Sequence, residues 1–335
     1  MKSLETFTLG KRFGQPELNE DSLVIVPDIG YAVIDGVTDR NGTRYDGMLA
    51  GRFASRAAGK QYARFLWSLS ENPDTYQGPE ALVAMLTDAV AAGYRSKGVY
   101  DQALTDPSIR AGCAVALTFV HNGNLEVVAV GDSGIRINGG EVIQGLKPLD
   151  DVTARLRREA SRYFEEKGLP FAERDRLAAS ITWKGTRNQP KDLPTAQADI
   201  RDEIERRAMA VNRAALPDVP EAELLELIHN GIEFGQGKFQ NTSGFALSYG
   251  VIDGFPVPSS QIDARTLPLA EIETLELFSD GYFSAAKEFG VAAWEREFER
   301  VEREDPHKLN AYLSVKGTTD VALTDDRTYL GVRLK

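Results

Sequence analysis

The chain has 335 residues, 42% of them apolar, enough to bury a substantial core; at roughly 150 residues per domain this means about two domains, or one large domain carrying an insertion. Its 50 acidic and 39 basic residues give a formal charge of −11, a field that repels nucleic acid and anionic lipid. The single cysteine, Cys113, can form no internal disulfide, the first residues have no apolar core of signal-peptide length, and no run reaches the ~20 apolar residues of a membrane span, so the expectation is a cytoplasmic protein.

Residues 22 to 35 give two short β-branched runs separated by Pro27, Asp28 and Gly30, which predicts a hairpin. From Asp46 to Leu69 the period changes: Leu49, Phe53, Ala57, Ala58, Tyr62, Phe65 and Leu69 share one helical face, and a second helix opens at Pro79. Between Ala111 and Ile143 strands are predicted at 114–120, 125–130, 135–138 and 141–143, joined through Asn122-Gly123 and Gly139-Gly140 turns. Residues 150 to 240 read as an insertion of charged helices at 152–167, 196–215 and 221–234. There Arg155, Arg157, Arg158, Arg201, Arg206 and Arg207 read as a solvated surface laced with i,i+4 pairs, with substrate docking as the alternative. Strands return at 245–252, 261–267, 274–278 and 328–334. This order is not a regular βαβ alternation and points to antiparallel sheets with helices packed outside them.

Acidic residues recur where strands stop, each beside a small or turn-forming residue: Asn19-Glu20-Asp21-Ser22, Ile34-Asp35-Gly36, Gly131-Asp132-Ser133, Ser279-Asp280-Gly281 and Asp325-Asp326-Arg327. Any one alone reads as a turn former. Together they suggest carboxylates gathered at one sheet edge, where burial without a counter-charge costs several kcal/mol each and a hard divalent cation cancels the repulsion. Magnesium and manganese suit such oxygen ligands, and two ions about 4 Å apart can share and activate a water. One cysteine and the dispersed His121, His229 and His307 offer no zinc-like set.

In order and wording these motifs resemble those of the metal-dependent serine/threonine phosphatases of the type-2C family, from about residue 5 to the C-terminus with the interruption at 150–240. Asn-Glu-Asp-Ser at 19–22, Asp35-Gly36, Ala111 to Ala116, Gly131-Asp132-Ser133, Ser279-Asp280-Gly281 and Asp325-Asp326-Arg327-Thr328 carry the resemblance. It implies an α+β fold, a four-layer α/β/β/α sandwich of two antiparallel sheets, forming a single catalytic domain with the helical insertion beside it. It also implies two Mg2+ or Mn2+ ions. Asp35 would bridge them, the Gly36 carbonyl would ligate one, Asp280 and Asp325 would complete the first, and Glu20 would reach the second through water. Asp21 would be a further nearby acid, and Asp132 with Asp280 resembles the pair that holds a third, weaker ion in some members.

Departures are informative. Pro16 stands where the family carries a phosphate-gripping arginine, which turns attention to Arg12, Lys11 and Arg40. Val37 occupies the place of a histidine proposed elsewhere as general acid, and Asp326 replaces an asparagine, leaving open which of the two adjacent carboxylates binds metal. With no Cys-x5-Arg arrangement, the expected chemistry is direct attack of an ion-activated water on phosphoserine or phosphothreonine in a protein substrate, without a phosphoenzyme and with Asp35 and Asp280 central. The alternatives are a phosphatase-like binding module and a phosphatase of a small metabolite.

Overall fold

The computed structural model describes residues 1–145 and 147–335. The chain divides into two compact units, one made of 1–146, 249–301 and 320–335, the other of 147–248 and 302–319.

The first unit is built on two five-stranded sheets. β1 (Ser3–Leu9), β2 (Ser22–Val26) and β3 (Gly30–Val37) come first, then a minor ribbon of β4 (Arg44–Tyr45) and β5 (Met48–Leu49). Helices α1 (Ala50–Glu71), α2 (Pro79–Ser96) and α3 (Tyr100–Thr105) follow, then β6 (Gly112–His121), β7 (Asn124–Val130), β8 (Gly134–Ile137) and β9 (Val142–Gln144). After the second unit come β10 (Asp263–Pro268) and β11 (Thr274–Phe278), a C-terminal helix (Val291–Glu304) and β12 (Arg327–Arg333). One sheet has the order β1-β12-β11-β8-β9, the other β10-β7-β6-β3-β2, and every pairing is antiparallel.

The inner faces interlock through Tyr31, Val33, Ala116 and Val127 of one sheet and Ile135, Leu275, Leu277 and Leu330 of the other. Alternation along each strand turns the next residue outward: Ala32, Ile34, Val115 and Leu117 meet Phe53, Tyr62, Leu66 and Leu86 of α1 and α2. On the far side Phe278 and Tyr329 pack against Trp294 and Phe298 of the C-terminal helix. The expected α/β/β/α layering is therefore present. A buried Glu276 ties the last layer together, pairing with Arg136 at 2.6 Å and accepting from Trp294 Nε1 and the Tyr329 hydroxyl at 2.8 Å each.

The second unit is helical: α4 (Pro148–Glu166), α5 (Phe171–Lys184), α6 (Ala198–Ala215) and α7 (Glu221–Asn230), the C-terminal helix of the first unit then being α8. Leu156 and Phe164 of α4, Ile181 of α5, Ile204 of α6 and Leu227 of α7 are buried. Arg206 and Arg207 do form surface pairs with Glu203. Arg157 does not belong to that surface: it is buried, pairs with Asp175 at 2.7 Å and donates to the carbonyls of His307 and Ser314, so it holds the 302–319 segment rather than facing water.

Most predicted elements are found within a few residues. The expected strand at 245–252 is not: these residues make only isolated bridges, at Tyr249 and at Ile252, the latter to Cys113, because β7 has already left that edge of β6 at Val130. β1, α5 and α8 go beyond the predicted elements.

Backbone contact explains one detail of the layering. A Cβ at Gly51, in the first turn of α1, would lie 2.6 Å from the Gly36 carbonyl carbon and the Val37 oxygen, so α1 starts in direct contact with the end of β3. Gly51→Ala should lower stability by about 1–3 kcal/mol, read as a lower urea midpoint at unchanged slope. Gly59→Ala in the same helix, whose nearest neighbours would be 3.5 Å away, should instead be neutral or stabilising by up to about 1 kcal/mol.

Candidate metal centre

Strand register places the acidic motifs at one end of the sandwich. β3 ends beside the start of β6 and the end of β7, while β11 ends beside the starts of β8 and β12. Contacts join the sheets there: the Asp280 N–H donates to Asp35 Oδ2 at 3.3 Å, and the Ser279 hydroxyl donates to Asp21 Oδ2 at 2.9 Å. Ser279 is itself held by the Thr328 N–H at 2.8 Å, and a Cβ on Gly281 would sit 2.0 Å from the Asp326 carbonyl oxygen, so only glycine lets these two segments approach.

The carboxylates form two tiers. Glu20, Asp21 and Asp326 are buried, whereas Asp35, Asp132, Asp280 and Asp325 are half-buried. Burial, reinforced by the charges of Asp21, Asp132 and Asp325, holds the Asp35 carboxyl well above the usual carboxylate range. Asp280 is raised in the same way by burial and then by Asp35, Asp325 and Asp132. Burial and Asp326 push Asp21 up to about 7, and its Oδ1 is buried with no hydrogen-bond partner.

One cation already sits in this end of the molecule. Lys11 is buried, and its ammonium lies 3.0 Å from Asp325 Oδ1 and 3.3 Å from both Glu20 Oε2 and Asp326 Oδ2, while donating to Thr38 Oγ1 at 2.9 Å. Asp326 also accepts from the backbone N–H of Lys11 at 2.6 Å and of Glu20 at 3.2 Å. Of the adjacent pair, Asp326 is thus the buried anchor. Asp325 is the half-buried member, whose charge acts on Asp35 and Asp280.

The donor chemistry is that of a hard cation: carboxylate oxygens, the Gly36 carbonyl at the end of β3, and an unpartnered buried oxygen on Asp21. No group of three or more His, Cys, Asp and Glu side chains among the described residues is arranged to hold a metal ion. Magnesium and manganese retain waters and can be held by one or two carboxylates, and Asp35 and Asp280 are the pair whose segments meet, through the Asp280 N–H. Around Glu20, Asp325 and Asp326 the ammonium of Lys11 stands where a second ion would be sought.

The other candidates lie elsewhere. Arg12 is exposed and its backbone bridges Ala322, while Arg40 donates to the Pro107 carbonyl at 2.7 Å. Cys113 is buried opposite Gly36, and burial and then Asp35 push its thiol far above the ordinary range, which makes it a poor nucleophile. Among the described residues no helix is long and apolar enough to cross a membrane. From sequence Lys11 is only an alternative to Arg12 for gripping phosphate, whereas here its ammonium faces carboxylates. The one local signal for its position is a lysine close before an acidic pair, since two of its three carboxylate partners are more than 300 residues away.

The sequence matches no family profile, and no curated protein is similar to it in sequence. Among solved structures the chain is similar to bacterial phosphatases over nearly its full length. A bacterial serine phosphatase is 12% identical, with 99% of this chain and 98% of that chain covered and a TM-score of 0.47. The serine/threonine phosphatase Stp1 from Staphylococcus aureus is 12% identical, with coverages of 100% and 96% and a TM-score of 0.44. The catalytic domain of the serine/threonine phosphatase PstP, solved with two manganese ions, is 15% identical, with coverages of 98% and 96% and a TM-score of 0.40.

An acid whose folded-state pKa is raised binds its proton more tightly folded than unfolded. Between 3.8 and about 7 the folded chain keeps the Asp21 proton that the unfolded chain has lost, so this group's contribution to stability falls as pH rises through that window. In metal-free protein, urea unfolding from about pH 5 to about pH 7 should show a steeper loss of stability for wild type than for Asp21→Asn, which cannot titrate. Equal slopes would mean that Asp21 is not held against like charges.

Proposed function

We propose that this protein is a metal-dependent phosphatase that hydrolyses phosphate monoesters, with phosphoserine and phosphothreonine of proteins as its substrates. The observation that carries the reading is the meeting of Asp35 and Asp280, from strands 245 residues apart, with both carboxyls raised by burial and by neighbouring acids. Side chains crowded in this way are stable with a cation between them or with protons on them, and perturbed carboxyls gathered in this manner are characteristic of functional sites.

In this reading Asp35 and Asp280 hold the ion on the half-buried side, assisted by the Gly36 carbonyl, with Asp132 and Asp325 as outlying charges. Asp21 is held by Ser279 through Oδ2, which leaves its buried Oδ1 without a hydrogen-bond partner. When bound, a divalent ion neutralises charge on phosphoryl oxygens and lowers the pKa of a coordinated water. Arg12, exposed next to Lys11, is the candidate for contact with the substrate phosphate. The net charge of −11 disfavours nucleic acid as a partner.

The test is hydrolysis of an aryl phosphate in magnesium or manganese with and without chelator. Chelation should abolish turnover, and Asp35→Asn or Asp280→Asn should each lower kcat/KM by about two orders of magnitude or more, the size of loss when a preorganised electrostatic partner is removed. Wild-type turnover that survives chelation, or persists in either variant, would refute the reading. If no phosphate ester is hydrolysed at all, the site is that of a binding module. Faster release from sugar phosphates than from phosphopeptides would move the substrate class to metabolites.

A further inference from the structure

Lysine ammonium groups are seldom buried, because removing the charge from water costs several kcal/mol unless close partners offset it. The surroundings of Lys11 are built for that purpose. Its carbonyl accepts from the Leu323 N–H at 2.9 Å and its N–H donates to Asp326 Oδ1 at 2.6 Å, so the residue is pinned before its side chain is considered. The ammonium then meets oxygens from three separate segments: Glu20 after the first loop, Thr38 after β3, and Asp325 and Asp326 before β12. Four acceptors within 3.3 Å take up its three protons, which leaves none for a substrate phosphate.

We infer that Lys11 is a tethered counter-cation that takes one of the two cation positions of the acidic site, so that the protein binds a single exchangeable divalent ion, on the Asp35–Asp280 side. This rests on the metal-dependent reading above and narrows it. The carboxylates of Glu20, Asp325 and Asp326 lie 3.0 to 3.3 Å from the Lys11 nitrogen, so their oxygens already face a positive charge. A metal entering on the Glu20 side would have to displace an ammonium that cannot diffuse away. Of the three carboxylates around Lys11, Glu20 and Asp326 are buried and Asp325 is half-buried, while Asp35 and Asp280 are both half-buried.

Manganese titrations by calorimetry and electron paramagnetic resonance on full-length protein test this directly. Wild type should bind about one Mn2+ per chain, Lys11→Met, of similar length and uncharged, about two, and Lys11→Arg about one. If wild type already binds two and Lys11→Met is unchanged, with hydrolysis still chelator-sensitive, the lysine inference fails and the phosphatase reading stands. If neither protein binds manganese and hydrolysis ignores chelator, both fail. Should Lys11→Met not fold, two variants that keep the lysine decide: Asp35→Asn should lose the single ion and Asp325→Asn should keep it, whereas loss of the ion in Asp325→Asn would overturn the inference.

Discussion

Repulsion among carboxylates at one end of the sandwich is the constraint around which the molecule is arranged. Two unit charges 4 Å apart interact by about 4 kcal/mol at an effective dielectric constant near 20, while a domain's whole stability is about 5–15 kcal/mol. A few unrelieved pairs would therefore rival the net stability of the fold. Glu20, Asp325 and Asp326 are relieved by Lys11, whose charged form is held well above its ordinary pKa because these carboxylates outweigh the opposing effect of its burial. Asp21, Asp35 and Asp280 have no such cationic partner among the described residues, and their upward shifts register what is left over.

Holding acids that close together requires a scaffold that cannot yield. The sandwich supplies it through interlocked sheet faces and through backbone approaches that no side chain could share. Gly51 lies against Gly36 and Val37, and Gly281 against Asp326. The Ser55 hydroxyl of α1 donates to the Glu20 carbonyl at 2.6 Å, so the helix that covers one sheet also fixes the loop carrying Glu20 and Asp21. Ser279 does the same from the other sheet by bridging Asp21 and Thr328. The positions of the acids thus follow from packing on both sides of the core, and a change at a glycine in α1 reaches the site through the backbone.

Much of this was legible in the residue pattern because it depends on local periodicity. The alternation through β2, β3, β6, β7 and β11, each run followed by a turn residue or an acid, gave both the strands and the aspartates at their ends. The burial of Phe53, Tyr62, Phe65 and Leu69 follows directly from helical spacing. β1 escaped notice because most of its residues are exposed and it is defined by pairing with β12, more than 300 residues away. α8 carried a readable signal, Trp294, Phe298 and Val301 at i, i+4 and i+7. Arg157 looked like its neighbours, since nothing local distinguishes an arginine that faces water from one capturing distant carbonyls. Lys11 is the same case at the site itself, and nothing local shows that of Asp325 and Asp326 it is the latter that accepts backbone N–H groups from Lys11 and Glu20.

The difference between a tethered ammonium and a bound dication also bears on how such a site stays folded and yet remains open. An ammonium carries one charge, has no vacant coordination position and cannot be lost to dilution, so it offsets the charges of Glu20, Asp325 and Asp326 whether or not metal is present. In the one-ion proposal an exchangeable ion is then needed only beside the half-buried Asp35 and Asp280. Because anything that binds the folded state alone stabilises it by mass action, a division of charge as proposed would make folding less dependent on metal concentration than two exchangeable ions would. Thr38 takes part in that division: its hydroxyl accepts from Lys11 and lies 3.4 Å from Glu20 Oε2, so the loop after β3 closes the ammonium in while the Asp35 carboxylate, three residues earlier, stays half-exposed.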